Sequence, residues 1–105
     1  MTTHTIVNPV LHDQLLRLFA DPLRAQLVTR LAVAELCTCH LAADTGALPS
    51  AVSNHLRQLR EAGVVEAERH GRYTYYRLRP EVLAAVADQF TALAAAARSA
   101  TKRPC

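Results

Sequence analysis

SAVSNHLRQLREA, residues 50–62, is the stretch on which the fold turns. Read as a helix, it sets Val52, His55, Leu56 and Leu59 on one face, at spacings of three, four and seven. Ser50, Ser53, Asn54 and Arg57 lie opposite, and none of them is apolar. One face suits a protein core and the other suits a groove. In B-DNA, Asn pairs with adenine and Arg with guanine through two hydrogen bonds each. Taken alone, the same pattern also fits an ordinary amphipathic surface helix, so its neighbours decide.

Upstream, Gly46-Ala47-Leu48-Pro49 joins this helix to a short one, for which Thr38 is the expected N-cap and Gly46 the terminator. Two helices joined by a short Gly-containing turn, the second with a polar outer face, make a helix-turn-helix. Downstream, Gly63 ends the helix and the period changes to two. Val64 to Arg69 reads as a strand, Tyr73 to Leu78 as its partner, and His70-Gly71-Arg72 as the turn. Such a hairpin, with Arg69, His70 and Arg72 near its tip, fits a wing that lies along a phosphate backbone. A solvated hairpin is the plain alternative.

At the two ends the pattern is helical again. A first helix is expected from Pro9, capped by Asn8, to Ala20, with Leu11, Leu15, Leu18 and Phe19 as its stripe. Asp21-Pro22 then caps and opens a second helix through Leu23, Leu27, Val28 and Leu31. From Pro80 a last helix carries Leu83, Val86, Ala87, Phe90, Leu93, Ala94 and Ala97 in one stripe. The outer helices are more apolar than a small core needs, so they are expected to pack across a twofold axis as a homodimer. The expected organisation is a flexible arm at 1–8, a winged helix-turn-helix domain at 9–98, mainly α with a β-hairpin, and a tail at 99–105.

Composition sets limits. With 105 residues, half of them hydrophobic, the chain is one small domain that a partner subunit would help to stabilise. A net charge of +3 and a pI near 9.1 permit a polyanionic partner without requiring one. No apolar run approaches a membrane span and no signal peptide is evident, so the expected location is the cytoplasm, with no membrane partner. Three cysteines are then expected to be reduced and open to metal or redox chemistry.

Two of them, Cys37 and Cys39, are one residue apart. Inside a helix such residues point roughly 200° apart and could not share an ion. With Cys37 before the cap and Cys39 in the first turn, both sulfurs converge where the helix dipole favours thiolate. Two small buried hydrophobes are the alternative reading. His40 is adjacent, His4 and His12 lie near the N-terminus, and Cys105 ends the chain. No acid–base partner is spaced for catalysis, so an enzyme is not expected.

The segments FADPLRAQLVTRL, ELCTCHLA, SAVSNHLRQLREAGVV and GRYTYYRL stand in an order and spacing that resembles the ArsR/SmtB family of bacterial metal-responsive repressors, over about residues 15 to 78. The resemblance implies a dimeric winged helix that binds a palindromic double-stranded operator and leaves it when metal binds. It aligns Ser50, Ser53, Asn54, Arg57 and Gln58 with the DNA-reading helix. It also sets ELCTCHL on the family's ELCVCDL motif, which carries the arsenic and cadmium cysteines.

The chain departs from the family's patterns in several places. Ala42 stands where one branch of arsenite sensors has a third cysteine, and residues 1 to 12 hold no cysteine. The last helix offers Glu81 and Asp88 but no histidine for a zinc site, and Leu48 replaces the usual Ser or Thr cap. The remaining sulfur is Cys105. Cys37, Cys39 and Cys105 are therefore the expected ligands for arsenite or antimonite as inducer. Cadmium, lead or zinc held by Cys37, Cys39 and a histidine, with His40 the adjacent one, is the alternative, and redox or structural cysteines in the same fold are another.

Overall fold

The structure, a computed structural model, describes residues 13–105. The expectations for Asn8, Pro9, Leu11, His4, His12 and the arm fall on residues outside that range. Five helices and three short strands follow in the order α1 (Asp13–Ala20), α2 (Pro22–Leu31), β1 (Leu36–Cys37), α3 (Thr38–Thr45), α4 (Pro49–Glu61), β2 (Val65–His70), β3 (Tyr73–Leu78) and α5 (Pro80–Arg98).

The α1–α2 junction forms as the sequence dictates. Asp21 Oδ1 accepts from the Leu23 and Arg24 amides at 2.9 and 3.1 Å, while Pro22 fills a position that needs no donor. The hydrogen bond from the Arg24 amide, helped by the Arg24 guanidinium, holds the Asp21 carboxyl below the usual carboxylate range. α2 then buries Leu27 and Leu31. Leu15, Leu18 and Phe19 of α1 pack against the same core from its edge.

The helix-turn-helix comprises α3 and α4. Gly46 ends α3 in the left-handed conformation (φ 74°), which a Cβ would strain. Pro49, one residue earlier than expected, opens α4, and Leu48 caps it only by position: it makes no side-chain cap bond and is 72 % exposed. Three leucine and valine side chains of α4, Val52, Leu56 and Leu59, are fully buried among Leu27, Leu31, Leu41, Val64, Val65 and Leu78.

The end of α4 accounts for a one-residue difference in the first hairpin strand. The Gly63 amide donates to Arg60 O and the Val64 amide to Leu59 O, a paired closure of the last turn. Val64 therefore packs on Leu59 as the hydrophobic partner of that turn, and β2 starts at Val65 rather than Val64. His70 belongs to the strand, paired with Tyr73, and the turn shrinks to Gly71-Arg72. One face of the hairpin holds Val65, Ala67, Arg69, Thr74, Tyr76 and Leu78; the other holds Glu66, Glu68, His70, Tyr73, Tyr75 and Arg77.

One feature differs from the sequence reading, and one accords with its expectation that the last helix is more apolar than the core needs. The hairpin is part of a three-stranded antiparallel sheet, order β1-β3-β2, with Leu36 opposite Tyr76 and Cys37 opposite Tyr75. α5 joins the core only through Val82 and Leu83, and none of its residues is buried. Phe90 is 49 % exposed, in the middle of a helix about 28 Å long. Among the described residues no helix is long and apolar enough to cross a membrane.

Candidate nucleic-acid interface and thiol site

Because Val52, Leu56 and Leu59 anchor α4, its opposite face is exposed: Ser50, Ser53, Asn54 and Arg57 all reach solvent. Arg57 donates to Asn54 Oδ1 and lies 3.7 Å from Glu61, so its guanidinium is held over the outer face of the helix. Exposed ties of this kind contribute under about 1 kcal/mol and exchange readily for a base or phosphate.

Gln58 is placed differently from its neighbours. It is half-buried, and its Oε1 accepts from Arg24 Nη1 at 2.8 Å. Arg24 also donates through Nε to Leu18 O at 2.8 Å and through Nη1 to His55 Nδ1 at 2.9 Å. Since a guanidinium only donates, His55 Nδ1 is the acceptor and the ring proton sits on Nε2, 4.0 Å from Asp21 Oδ1. One arginine thus ties the end of α1 and the start of α2 to the middle of α4. Sequence reading placed Arg24 off the apolar stripe and His55 in the packing, but not this link between residues more than 30 positions apart.

At the wing, Arg69 and Arg72 are exposed at the tip, and Arg69 Nη2 donates to Gly71 O. His70 points to the other face, with Nε2 3.3 Å from Glu68 Oε1. That face also carries the Arg77–Glu66 ion pair. The cationic character of the hairpin therefore lies at its tip and not along this outer face.

The cysteines meet where β1 becomes α3. Cys37 is itself the N-cap of α3 (φ −88°, ψ 168°), which corrects the expected cap at Thr38. An extended residue followed by a helical turn brings the Cys37 and Cys39 Cα atoms to 5.4 Å, within disulfide range, and the two are joined by a disulfide. The sequence reading expected this pair as reduced thiols; in the structure the two sulfurs are bridged. Cys37 is 3 % exposed, whereas Cys39 and His40 lie at the surface.

His40 Nδ1 accepts from the Cys37 amide at 3.2 Å and lies 3.2 Å from Cys37 Sγ. The ligand atoms of Cys37, Cys39 and His40 fall within 4.8 Å of one another, the one such group of potential metal ligands among the described residues. Once the disulfide is reduced, two sulfurs and an imidazole suit a thiophilic ion. Cys105 is exposed beyond the end of α5 and is not part of this group.

Residues 21–67 match the family model described as bacterial regulatory protein, arsR family. An arsenic resistance transcriptional regulator of Pseudomonas putida is 44 % identical over 64 residues, 60 % of this chain and 50 % of the relative. A transcriptional repressor SmtB homolog of Synechocystis is 49 % identical over 59 residues, 56 % of this chain and 45 % of the relative. The chain thus spans about half the length of these curated relatives. The crystal structure of a possible transcriptional regulator for arsenical resistance superposes with a TM-score of 0.69 at 39 % identity, over 88 % of this chain and all of the other.

Proposed function

We infer what this protein does from one premise: the chain belongs to the ArsR/SmtB family of bacterial regulatory proteins and has its winged helix-turn-helix fold. We propose that it is a metal-responsive transcriptional repressor. It binds palindromic operator DNA as a homodimer and releases it when an ion engages Cys37 and Cys39. The observation that carries this reading is the position of the thiol pair. Cys37 is at once the cap of the first helix of the helix-turn-helix and a strand residue paired with the wing.

On the DNA side, Ser50, Ser53, Asn54 and Arg57 meet the major groove. Gln58 reaches a base only by leaving Arg24. Arg69 and Arg72, with His70, meet the backbone beside it. The apolar stripes of α1 and α5 form the dimer contact. Phosphate contacts place the wing and base edges select the site, so the two halves of the interface differ in salt dependence.

Arsenite or antimonite is the first inducer to consider, because arsenical resistance is what two of the similar proteins are named for. Cys37, Cys39 and Cys105 then supply three thiolates. The tail of seven residues spans at most about 24 Å, and Cys105 is supplied by the same or by a second protomer. A second reading rests on His40, whose imidazole already lies against the Cys37 sulfur: cadmium, lead or zinc on Cys37, Cys39 and His40. Either ion needs the disulfide reduced first, by two electrons and two protons from a thiol reductant.

Anisotropy of labelled DNA from upstream of the gene tests the reading, with reduced protein and parallel additions of arsenite, cadmium and zinc. Release by arsenite at low stoichiometry, lost in Cys105→Ser, supports the three-thiolate site. Release by cadmium or zinc alone moves the site to His40. Binding that no ion disturbs removes the metal-sensing half. Release should also vanish when the protein is kept oxidised.

A further inference from the structure

The thiol site and the wing share one aromatic residue that neither role explains. Tyr75 stands opposite Cys37 across the β1–β3 ladder. Its half-buried ring makes an edge-type contact with His40, with centroids 6.0 Å apart at 62°. It makes a second with His70, at 5.4 Å and 80°. His70 pairs with Tyr73 at the last rung before the Gly71-Arg72 turn. A continuous line of contacts therefore runs from the Cys37 sulfur through His40, Tyr75 and His70 to the wing tip.

The first link of that line cannot stay as it is when an ion arrives. His40 Nδ1 now accepts the Cys37 amide proton. If His40 ligates through Nδ1, that lone pair is taken by the ion. If it ligates through Nε2, the ring proton moves to Nδ1 and faces the amide hydrogen. If it does not ligate, an ion on the Cys37 sulfur takes up space next to a ring 3.2 Å away. Ligation by His40 breaks the cap hydrogen bond, and an ion on the sulfur alone crowds the ring; both press His40 towards a new position beside Tyr75. Edge-to-face contacts have a preferred geometry, so a displaced partner changes the position favoured by the second ring.

We propose that Tyr75 is the positioning residue that couples occupancy of the Cys37/Cys39 site to the wing tip, by passing displacement of His40 to His70. The inference rests on the metal-responsive reading above and deepens it. Tyr75 touches neither DNA nor ion in this scheme. It sets how strongly one site feels the other, which is a coupling free energy and not a binding energy.

The test compares the parent chain with Tyr75→Phe and Tyr75→Leu, all reduced and full length, using arsenite and cadmium separately. For the ion that releases the parent, the ratio of DNA affinities without and with ion is expected to exceed about fivefold. Tyr75→Phe keeps the ring and should keep that ratio within about twofold. Tyr75→Leu should bring it close to one, while DNA affinity without ion and ion affinity without DNA each stay within about twofold of the parent. An unchanged ratio in Tyr75→Leu overturns the role of Tyr75 alone. A ratio of one in the parent overturns the release reading itself.

A second measurement does not depend on how well Tyr75→Leu folds. The chain has three tyrosines and no tryptophan, so Tyr73→Phe/Tyr76→Phe leaves Tyr75 as the sole emitter of tyrosine fluorescence. Its emission should change as the ion saturates the site. Emission that stays flat through saturation overturns the proposal.

Discussion

α4 and α5 begin alike and are treated oppositely by the fold. Each opens with a proline after a residue whose side chain does not cap, Leu48 in one case and Arg79 in the other. Each carries an apolar stripe at helical spacing. Yet α4 buries Val52, Leu56 and Leu59 completely, and α5, the longer helix, buries nothing. The stripe of α4 meets α2 and the start of β2, elements of its own chain. The stripe of α5 leaves the core after Leu83 and has no counterpart of comparable length among the described residues. An apolar periodicity thus specifies that a face be covered, while chain topology decides whether the rest of the chain can cover it.

Core and surface substitutions should separate the two helices most clearly. Leu56→Ala removes a fully buried side chain and should cost about 2–5 kcal/mol in urea unfolding, with little change in dimer dissociation at concentrations where the protein stays folded. Phe90→Glu should do the reverse. It weakens self-association by about 2–4 kcal/mol, seen as a shift to monomer in sedimentation, with the helical signal retained. A monomer of unchanged fold would also lose operator affinity. If Phe90→Glu leaves the dimer intact, the exposed stripe of α5 is not the contact.

Smaller effects sharpen the contrast within α4 itself. Arg24→Met keeps the stem but leaves Leu18 O, His55 Nδ1 and Gln58 Oε1 without their donor, and should cost about 1.5–3 kcal/mol of stability. Arg57→Ala, on the outer face, should leave unfolding unchanged and lower operator affinity by about 1–3 kcal/mol. Asp21 gives the mildest effect. Its pKa is lowered in the folded chain, so its contribution is complete above the ordinary carboxylate range and is lost as pH falls through the lowered value. Asp21→Asn retains a cap oxygen and should show a shallower loss of stability between about pH 5 and pH 3.

Where periodicity is long, the sequence was a good guide. The α4 faces, the Asp21-Pro22 junction and the two hairpin strands could all be read from residue types a few positions apart. β1 could not, because two residues carry no alternation. The Arg24 link was hidden for another reason: a hydrogen bond between side chains more than 30 residues apart has no local signature. The convergence of Cys37 and Cys39 was legible from the geometry of a helix start, whereas the cap residue itself was misplaced by one. Thr38 is the better capping side chain, but Cys37 has the extended backbone and is fixed there by its pairing with Tyr75. The sheet outweighed the side-chain preference.

That Cys37 is also the cap of α3 bears on how genetic data for the site should be weighed. Serine is among the strongest residues at an N-cap and cysteine is not. Cys37→Ser would therefore delete a sulfur and firm up a helix start in one step, and its phenotype would mix lost chemistry with altered local order. Cys39, exposed in the first turn, has no such second role. Cys39→Ser is the allele from which a loss of response can be assigned to the missing thiol.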